Sequence, residues 1–385
     1  NGVLGIEVPE AEIVRIMKNL DFDPSVQDDE LTIHVPAYRE DMLPNGEGDV
    51  ERYPDVAEEV IRMYGYDHIV PTFLSTAQVT MGGLNRKQKG ELALKKTLCA
   101  MDINECMHYS FFSPADLDLL RLAPDAEERN AIRLLNPINQ DLSLMRTTLV
   151  SSMVNAIARN EKNGILAGRL FEVAKRFIPK SLPLTEYPEE KDTLCIGIFG
   201  AEESFYTMKS IAATIAESLN IIFTYEQAQK TFLHPYQTVK IFCEGEELGY
   251  FGKLAYDIQN ELNMRTGAFV LEMDLERLSK WYDKKRVFKA LSRFPEEKRD
   301  LAFVMNKDIT FGQVEECINR ANKYIKEIRL FDVYEGGQIP EGKKSMAYTI
   351  TFAPKDEALD AETVQKFVDK ICRTLKNDLD IDLRA

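Results

Sequence analysis

The chain has 385 residues, 44% hydrophobic and 29% charged, a composition typical of a globular protein with two or three domains. It has no apolar run of about 18 residues, which excludes a membrane-spanning helix, and its net charge of −15 excludes a nucleic-acid surface over the whole molecule. The six cysteines form no CxxC pair, which indicates reduced thiols in a cytoplasmic protein.

The charge is unevenly distributed along the chain. Residues 1–70 hold 17 acidic and 5 basic residues, whereas residues 292–385 hold 18 acidic and 16 basic residues. Phosphate binding needs local positive charge. The first segment is therefore the least suitable for DNA or RNA, and any RNA contact elsewhere must use a local basic patch.

Residues 1–70 form the first predicted module. Pro9 is placed to begin a helix, and residues 31–35 alternate between polar and apolar like a strand. Pro54 begins a second helix, which Gly65 is placed to end because glycine tolerates positive φ.

Three carboxylates, Asp55, Glu58 and Glu59, occupy positions i, i+3 and i+4 of this second helix. The spacing puts them on one face, close enough to converge on a hard cation, and Asp41 at an upstream loop can join them. The alternative is that the helix dipole and water stabilise these carboxylates. Spacing alone favours the alternative.

Residues 71–291 form the second predicted module, which ends in a basic connector, residues 278–291. A helix is predicted from Asn85 to Met101 and a strand from Glu105 to Phe112. A second helix, capped by Thr147 or Thr148, and a strand from Arg169 to Phe177 follow.

Residues 292–385 form the third predicted module. Strands and helices follow in the order βαββαβ, a ferredoxin-like arrangement. The elements are a strand from Asp300 to Met305, a helix capped by Thr310, strands from Ile328 to Tyr334 and Met346 to Phe352, a helix capped by Asp360, and a strand from Leu379 to Leu383.

Segments in all three modules resemble one family. NPIN, LSLMRTTLVSSM and RLFEVAKRF, between residues 136 and 177, resemble the class II synthetase-like domain of the bacterial phenylalanyl-tRNA synthetase beta chain. VPAYREDM and DVAEEVIRMYGYDHI resemble the domain before it, and SRFPEEKRDLAFVM resembles the ferredoxin-fold anticodon-binding domain after it. The resemblance is collinear over nearly the whole chain.

The resemblance implies an α+β chain with three domains. An antiparallel class II synthetase-like sheet domain is preceded by a small winged-helix-like domain and followed by a ferredoxin-like βαββαβ domain. It also implies a C-terminal part of the beta chain, in a complex of two alpha and two beta chains. This part docks the catalytic alpha chain and orients tRNA(Phe) while the complex attaches phenylalanine with ATP.

The resemblance also implies two sets of binding residues. In the family an Asp, then Asp-x-x-Glu-Glu, binds Mg²⁺, which points to Asp41, Asp55, Glu58 and Glu59, although residues 44–53 lengthen the gap after the first of them. The candidates for tRNA binding are basic residues of the third module, Arg293, Lys298, Arg299, Lys343, Lys344 and Arg373. Solvated surface cations are the alternative for each of these six.

Catalytic residues are not expected in this chain. Active class II sites need an Arg in Phe-Arg-x-Glu and another in Gly-x-Gly-x-x-Arg. Here Arg169 and Glu172 are three apart, so a regular strand sends them to opposite faces, and the only Gly-x-Gly, residues 46–48, is followed by Glu51. We expect a non-catalytic domain and no DNA or membrane partner. The alternative function is a synthetase-like module that binds a protein and has no role with tRNA.

Overall fold

The computed structural model describes residues 1–28, 30–42, 53–72, 81–288, 293–337, 339–354 and 358–384. Contacts within the chain define two compact units, Asn1–Leu84 and Asn85–Ala385. In the described ranges no helix is long and apolar enough to cross a membrane. The predicted boundary near residue 291 and most of the loop at residues 44–53 lie outside the described residues.

In the described residues of the first unit, two helices accompany a hairpin: α1 (Glu10–Asn19), β1 (Asp23–Gln27), β2 (Glu30–His34) and α2 (Tyr53–Tyr64). As predicted, α1 begins directly after Pro9, because the fixed φ of proline suits a helix start. The two helices enclose an apolar cluster that includes Ile16, Met17 and Val60. β1 is absent from the predicted elements because aspartate and proline disfavour strands. The winged-helix-like arrangement stays a prediction.

The centre of the second unit is a large sheet covered by helices. In chain order its elements are α3 (Arg86–Ala100), β3 (Asn104–Glu105), β4 (Phe111–Phe112), α4 (Pro114–Leu119), β5 (Leu144–Met145), α5 (Val150–Lys162), β6 (Gly168–Ile178), β7 (Glu189–Phe199), α6 (Phe205–Ser218), β8 (Thr224–Gln227), β9 (Leu233–Cys243), β10 (Glu246–Leu254), α7 (Tyr256–Glu261), β11 (Ala268–Asp274) and α8 (Leu275–Leu278).

Within the described residues, seven strands join this sheet in the order β3-β6-β7-β11-β10-β9-β8. The pairs are antiparallel except the edge pair β3–β6. One face packs against α3 and α6 and the other against α5 and α7, which gives the sheet an apolar core on each side. The predicted helix from residue 85 and strand from residue 169 appear as α3 and β6.

Two local predictions in this unit differ from the structure, one of them only in part. The predicted strand from residue 105 to residue 112 is interrupted, because the backbone N–H of His108 donates to the Glu172 carboxylate (3.2 Å) rather than to a neighbouring strand. The predicted threonine cap is found in part. Leu149 occupies the N-cap position of α5, but the Thr148 hydroxyl accepts the N–H of Val150, the first helical residue (3.2 Å), and donates to Glu272 (2.8 Å).

The last part of the second unit contains β12 (Glu297–Asn306), α9 (Phe311–Ala321), β13 (Ile325–Tyr334), β14 (Lys343–Phe352), α10 (Ala361–Leu379) and β15 (Asp382–Leu383). The strands pair in the order β13-β14-β12-β15, and α9 and α10 share an apolar core with one face of this sheet. Thr310 and Asp360 are N-caps, as predicted. The ferredoxin-like prediction for this domain is therefore confirmed.

Candidate functional site

The carboxylates predicted on one face of α2 differ in burial. Glu58 is exposed, Asp55 is half-buried, and the Glu59 side chain is only 9% exposed. Burial by itself would raise the pKa of Glu59, but hydrogen bonds from Arg62 and Arg39 outweigh it and lower that pKa. The buried member of the set is therefore a charged carboxylate that already has two cationic partners.

Arg39 links the loop carboxylate Asp41 to α2. It donates to Asp41 through Nε (2.9 Å) and Nη2 (2.7 Å), and Nη2 also donates to Glu59 (3.0 Å). No group of three or more His, Cys, Asp or Glu side chains in the described ranges has a geometry that could hold a metal ion. In this arrangement guanidinium groups bind Asp41 and Glu59, so these two carboxylates would have to exchange partners to bind Mg²⁺.

The sheet register separates the candidate tRNA-binding residues of the third module. On the β12–β14 ladder Lys298 pairs with Thr351 and Lys343 pairs with Asn306. Along β14, Lys343 and Thr351 (the partner of Lys298) alternate with buried residues such as Tyr348, which pack against α9 and α10. The two lysines therefore lie on the opposite face of the sheet, away from these helices. Eight positions of β14 separate the two levels, about 27 Å. These two lysines share a face but not one contact point.

The other four candidates lie elsewhere. Arg299 is half-buried and pairs with Ile350, so it lies on the face of the sheet that α9 and α10 cover. Lys344 donates to a backbone carbonyl at Lys307 (2.9 Å), Arg373 is exposed on α10, and Arg293 precedes β12. The structure therefore does not bring the six residues into one patch.

Two further cations lie on the open sheet face and are absent from the predicted set. Arg329 pairs with Thr349 across β13 and β14, and the Arg384 guanidinium lies 5.5 Å from the centroid of the Tyr334 ring. Alternation along β13 is a sequence signal that identifies Arg329. The position of Arg384 depends on the pairing of the last strand, for which the sequence carries no comparable signal.

The two residues compared with the active class II pattern point away from each other. Arg169 donates to Glu203 (2.7 Å), whereas Glu172 accepts from Arg146 (2.9 Å) and is hydrogen-bonded to His108 (2.7 Å). The register of β6 against β7 runs without a shift, so residues three apart face opposite sides, as their spacing predicts. An arginine and a glutamate are therefore not presented together to a nucleotide.

Family models match the chain in one continuous order. The tRNA synthetase B5 domain matches residues 1–66, and the phenylalanyl tRNA synthetase beta chain CLM domain matches residues 70–275, more than half of the chain. The ferredoxin-fold anticodon binding domain matches residues 292–384.

Similar proteins carry the same description. The phenylalanine–tRNA ligase beta subunits of Clostridium tetani and Clostridium acetobutylicum are 34% and 31% identical to this chain over its whole length. The chain spans 48% of each of these relatives. A pyrrolysyl tRNA synthetase structure from Desulfitobacterium hafniense, PylSc, covers 49% of this chain and 66% of its own at 15% identity, with a TM-score of 0.40 that does not define a shared fold. The family models and the similar sequences show that this chain belongs to the phenylalanyl-tRNA synthetase beta chain family.

Proposed function

We propose that this chain acts as part of the beta subunit of a cytoplasmic phenylalanine–tRNA ligase, which attaches phenylalanine to tRNA(Phe) with ATP. The observation that carries the proposal is the unbroken order of the three family matches. We divide the chain into modules at residues 1–70, 71–291 and 292–385. Because the chain spans about half the length of its relatives, we assign the attachment of phenylalanine to the complex with a catalytic alpha chain.

The central domain has a supporting role in this proposal. A nucleotide-activating site needs cations held where the phosphates lie, but Arg169 and Glu172 lie on opposite faces of β6 and are each occupied by a protein partner. The chain alone should therefore give no ATP–pyrophosphate exchange, whereas its complex with the alpha chain should. Exchange by the isolated chain would contradict the supporting role.

We place the alpha-chain contact at the sheet edge formed by β3 and the segment that follows it. β3 is a two-residue strand at the edge of the sheet, and after it Met107 and Tyr109 are 90% and 69% exposed. Large exposed apolar side chains beside an unpaired edge are typical of a protein interface.

The docking contact can be tested by co-purification with the alpha chain. Met107→Glu should weaken the complex at least about tenfold, because it buries an unpaired charge in an apolar contact. Met81 is fully exposed (100%) and supplies a matched control, Met81→Glu, which should leave the complex intact. Equal binding by both variants would place the interface elsewhere.

We propose further that Asp41, Asp55, Glu58 and Glu59 bind Mg²⁺. The donors are hard oxygens, which Mg²⁺ prefers, and they lie in the most acidic part of the chain. Glu59 would have to exchange a guanidinium partner for the ion. The proposal therefore predicts a change in side-chain partners when Mg²⁺ binds.

Mg²⁺ binding to the chain can be measured by titration calorimetry and by thermal unfolding in Mg²⁺ against EDTA. Glu58→Gln should abolish the Mg²⁺-dependent rise in Tm, since a ligand that binds only the folded state stabilises it. Glu10→Gln, at an exposed position of α1, is the control and should keep that rise. A wild-type Tm that is equal in both solutions would refute the site.

We propose that the third module contacts tRNA through the open face of its sheet and the basic residues around it, Arg293, Lys298, Arg299, Lys343, Lys344 and Arg373. Mixed charge on this domain limits the contact to its basic positions, which the sheet register distributes over more than one place. Lys298→Ala or Lys343→Ala in the alpha–beta complex should each weaken tRNA(Phe) binding and reduce the salt slope by about one.

A control for the tRNA measurement is Lys366→Ala on α10, whose side chain is 69% exposed and pairs with Glu362 one turn away. It should leave both the affinity and the salt slope unchanged. If none of the basic variants changes tRNA binding while the alpha chain still docks, the alternative function, a protein-binding module without a role with tRNA, is favoured.

A further inference from the structure

A cavity of about 320 Å³ opens at one end of the central sheet, on the face that carries Glu172 and α5. Its walls come from β6, β7, β10 and β11 and from the segment before α5. The volume lies at the small end of the range for ligand pockets, about 300–1,000 Å³. The residues that line the cavity lie between residues 127 and 277, in the central domain.

The floor of this cavity is a fixed carboxylate. Glu272 is 5% exposed, and its Oε1 accepts from the Thr148 hydroxyl (2.8 Å) and the Leu149 N–H (2.8 Å). Its Oε2 accepts from the Tyr250 hydroxyl (2.9 Å). A carboxylate oxygen has two acceptor sites. Among the described residues only the Tyr250 hydroxyl donates to Oε2, so its second acceptor site is available to a ligand. The carboxylate is therefore held in place before any ligand arrives.

A bulge in β10 shapes the same wall. The register between β10 and β9 shifts between Glu247 and Gly249. A Cβ at Gly249 would lie 2.1 Å from the backbone oxygen of Glu272, so only glycine allows the two strands to approach this closely. Bulges of this kind re-aim side chains and occur often beside binding sites.

The opposite wall carries cations. Arg176 donates through Nε to the Thr193 hydroxyl (2.8 Å), and its two terminal nitrogens have no partner among the described residues. The Lys230 ammonium lies 4.5 Å from the centroid of the Tyr250 ring and 3.8 Å from Glu128. The free edge of a guanidinium matches the two oxygens of a carboxylate.

The register sets the separation of the two charged walls. Arg176 pairs with Lys191 on β7, whereas Glu272 pairs with Cys195 on the same strand. Four positions of β7, about 13 Å, separate these levels, and β6 and β11 lie on opposite sides of β7, about 10 Å from each other, so the two Cα atoms are about 16 Å apart. The long Arg176 side chain spans about half of this distance, which leaves room for one small group with opposite charges at its two ends.

The charges in the cavity decide between classes of ligand. Carboxylates outnumber cations in the lining, with five glutamates and aspartates, Glu127, Glu128, Glu247, Glu272 and Asp274, against four lysines and arginines, Arg176, Lys191, Lys230 and Arg277. A triphosphate needs a predominantly cationic site, whereas a ligand that carries one charge of each sign is complementary to both walls.

We propose that this cavity binds a small zwitterion of the α-amino-acid type, with its carboxylate on Arg176 and its ammonium group toward Glu272. The proposal does not rest on the proposed function of the chain. It assigns a ligand site to a domain in which we expect no catalysis.

Ligand-observed NMR on the 385-residue chain tests the proposal, with the common L-α-amino acids as probes at millimolar concentration. At least one amino acid should bind. Its methyl ester, which lacks the carboxylate charge, and its N-acetyl derivative, which lacks the ammonium charge, should each bind at least about tenfold more weakly. Absence of binding by every amino acid, or stronger binding by ATP than by any of them, would overturn the proposal.

Variants of one strand locate the bound probe. Arg176→Met should reduce its affinity at least about tenfold, because it removes the guanidinium and keeps much of the apolar stem. Lys175→Met is the matched control, since Lys175 is the exposed neighbour on the opposite face of β6 and pairs with Glu190 (2.8 Å). It should leave the affinity unchanged. Equal losses in both variants would place the ligand outside this cavity, and unchanged far-UV circular dichroism verifies that each variant is folded.

Discussion

Replacement of Arg146 by methionine should destabilise the central domain more than any surface substitution. Arg146 and Glu172 are 3% and 2% exposed and form an ion pair at 2.9 Å. Arg146 also donates to the backbone oxygens of Lys175 (2.9 Å) and Tyr109 (3.3 Å). The change would leave a buried carboxylate without its guanidinium partner and two backbone oxygens without a donor.

The expected loss in free energy of unfolding follows from this geometry. Removal of one partner of a buried ion pair costs about 3–5 kcal/mol, because the remaining charge stays buried. This corresponds to a roughly 100- to 5,000-fold change in the unfolding equilibrium. The double variant Arg146→Met/Glu172→Met should be more stable than the single variant, since it leaves no uncompensated charge.

The loss should depend on pH. Burial acts to raise the pKa of Glu172, but the hydrogen bond from His108 and the charge of Arg146 outweigh it and lower that pKa. In the wild type the carboxylate therefore stabilises the fold above the unfolded pKa of about 4.3, and this contribution is lost as pH falls through the lower folded value. In the Arg146 variant the Glu172 carboxylate lacks this charge and is protonated at a higher pH, which removes the unpaired negative charge. The difference between the two proteins should therefore narrow as pH falls from 7 toward 4.

Urea unfolding followed by tryptophan fluorescence measures this effect. The single tryptophan, Trp281, packs against the apolar cluster of the central domain. Lys180→Met is the control, because Lys180 and Glu186 form an ion pair with both side chains about half exposed (49% and 57%), and it should not shift the midpoint. A loss below about 1 kcal/mol in the Arg146 variant, or a loss that does not change with pH, would refute the reasoning.

Three further changes test other parts of the second unit. Glu161→Gln should cost about 1–3 kcal/mol in urea unfolding, because the buried Glu161 carboxylate accepts the Arg265 N–H (2.6 Å) and an amide cannot replace both acceptor oxygens. Gly249→Ala should cost about 1–3 kcal/mol and lower Tm, since its Cβ would lie 2.1 Å from the Glu272 oxygen; an unchanged Tm would show that the strands separate freely. Asp360→Ala should speed amide exchange in the first turn of α10, because Asp360 accepts the Thr363 N–H (2.7 Å). Hydrogen bonds from the Thr363 side chain and then from this N–H lower the pKa of Asp360. The difference should disappear as pH falls through that lowered pKa, and a difference that persists in acid would contradict this cap.

Sequence reasoning is most successful where the cause is local. Thr310 and Asp360 cap their helices as predicted, because a short polar side chain can accept the N–H groups of the first helical turn. It fails where a distant group competes. The strand predicted from residue 105 is interrupted because Glu172, on another strand, accepts its backbone N–H.

The sequence by itself determined the order of the three modules, the βαββαβ pattern of the last one and the opposite orientation of Arg169 and Glu172, because these depend on periodicity and on spacing within one strand. Only the tertiary structure decided which charges meet. It joins Arg39 to Glu59, and it places Arg176 and Glu272 around one cavity. Strand order and register bring together residues that lie far apart in the chain, and no local pattern encodes that pairing.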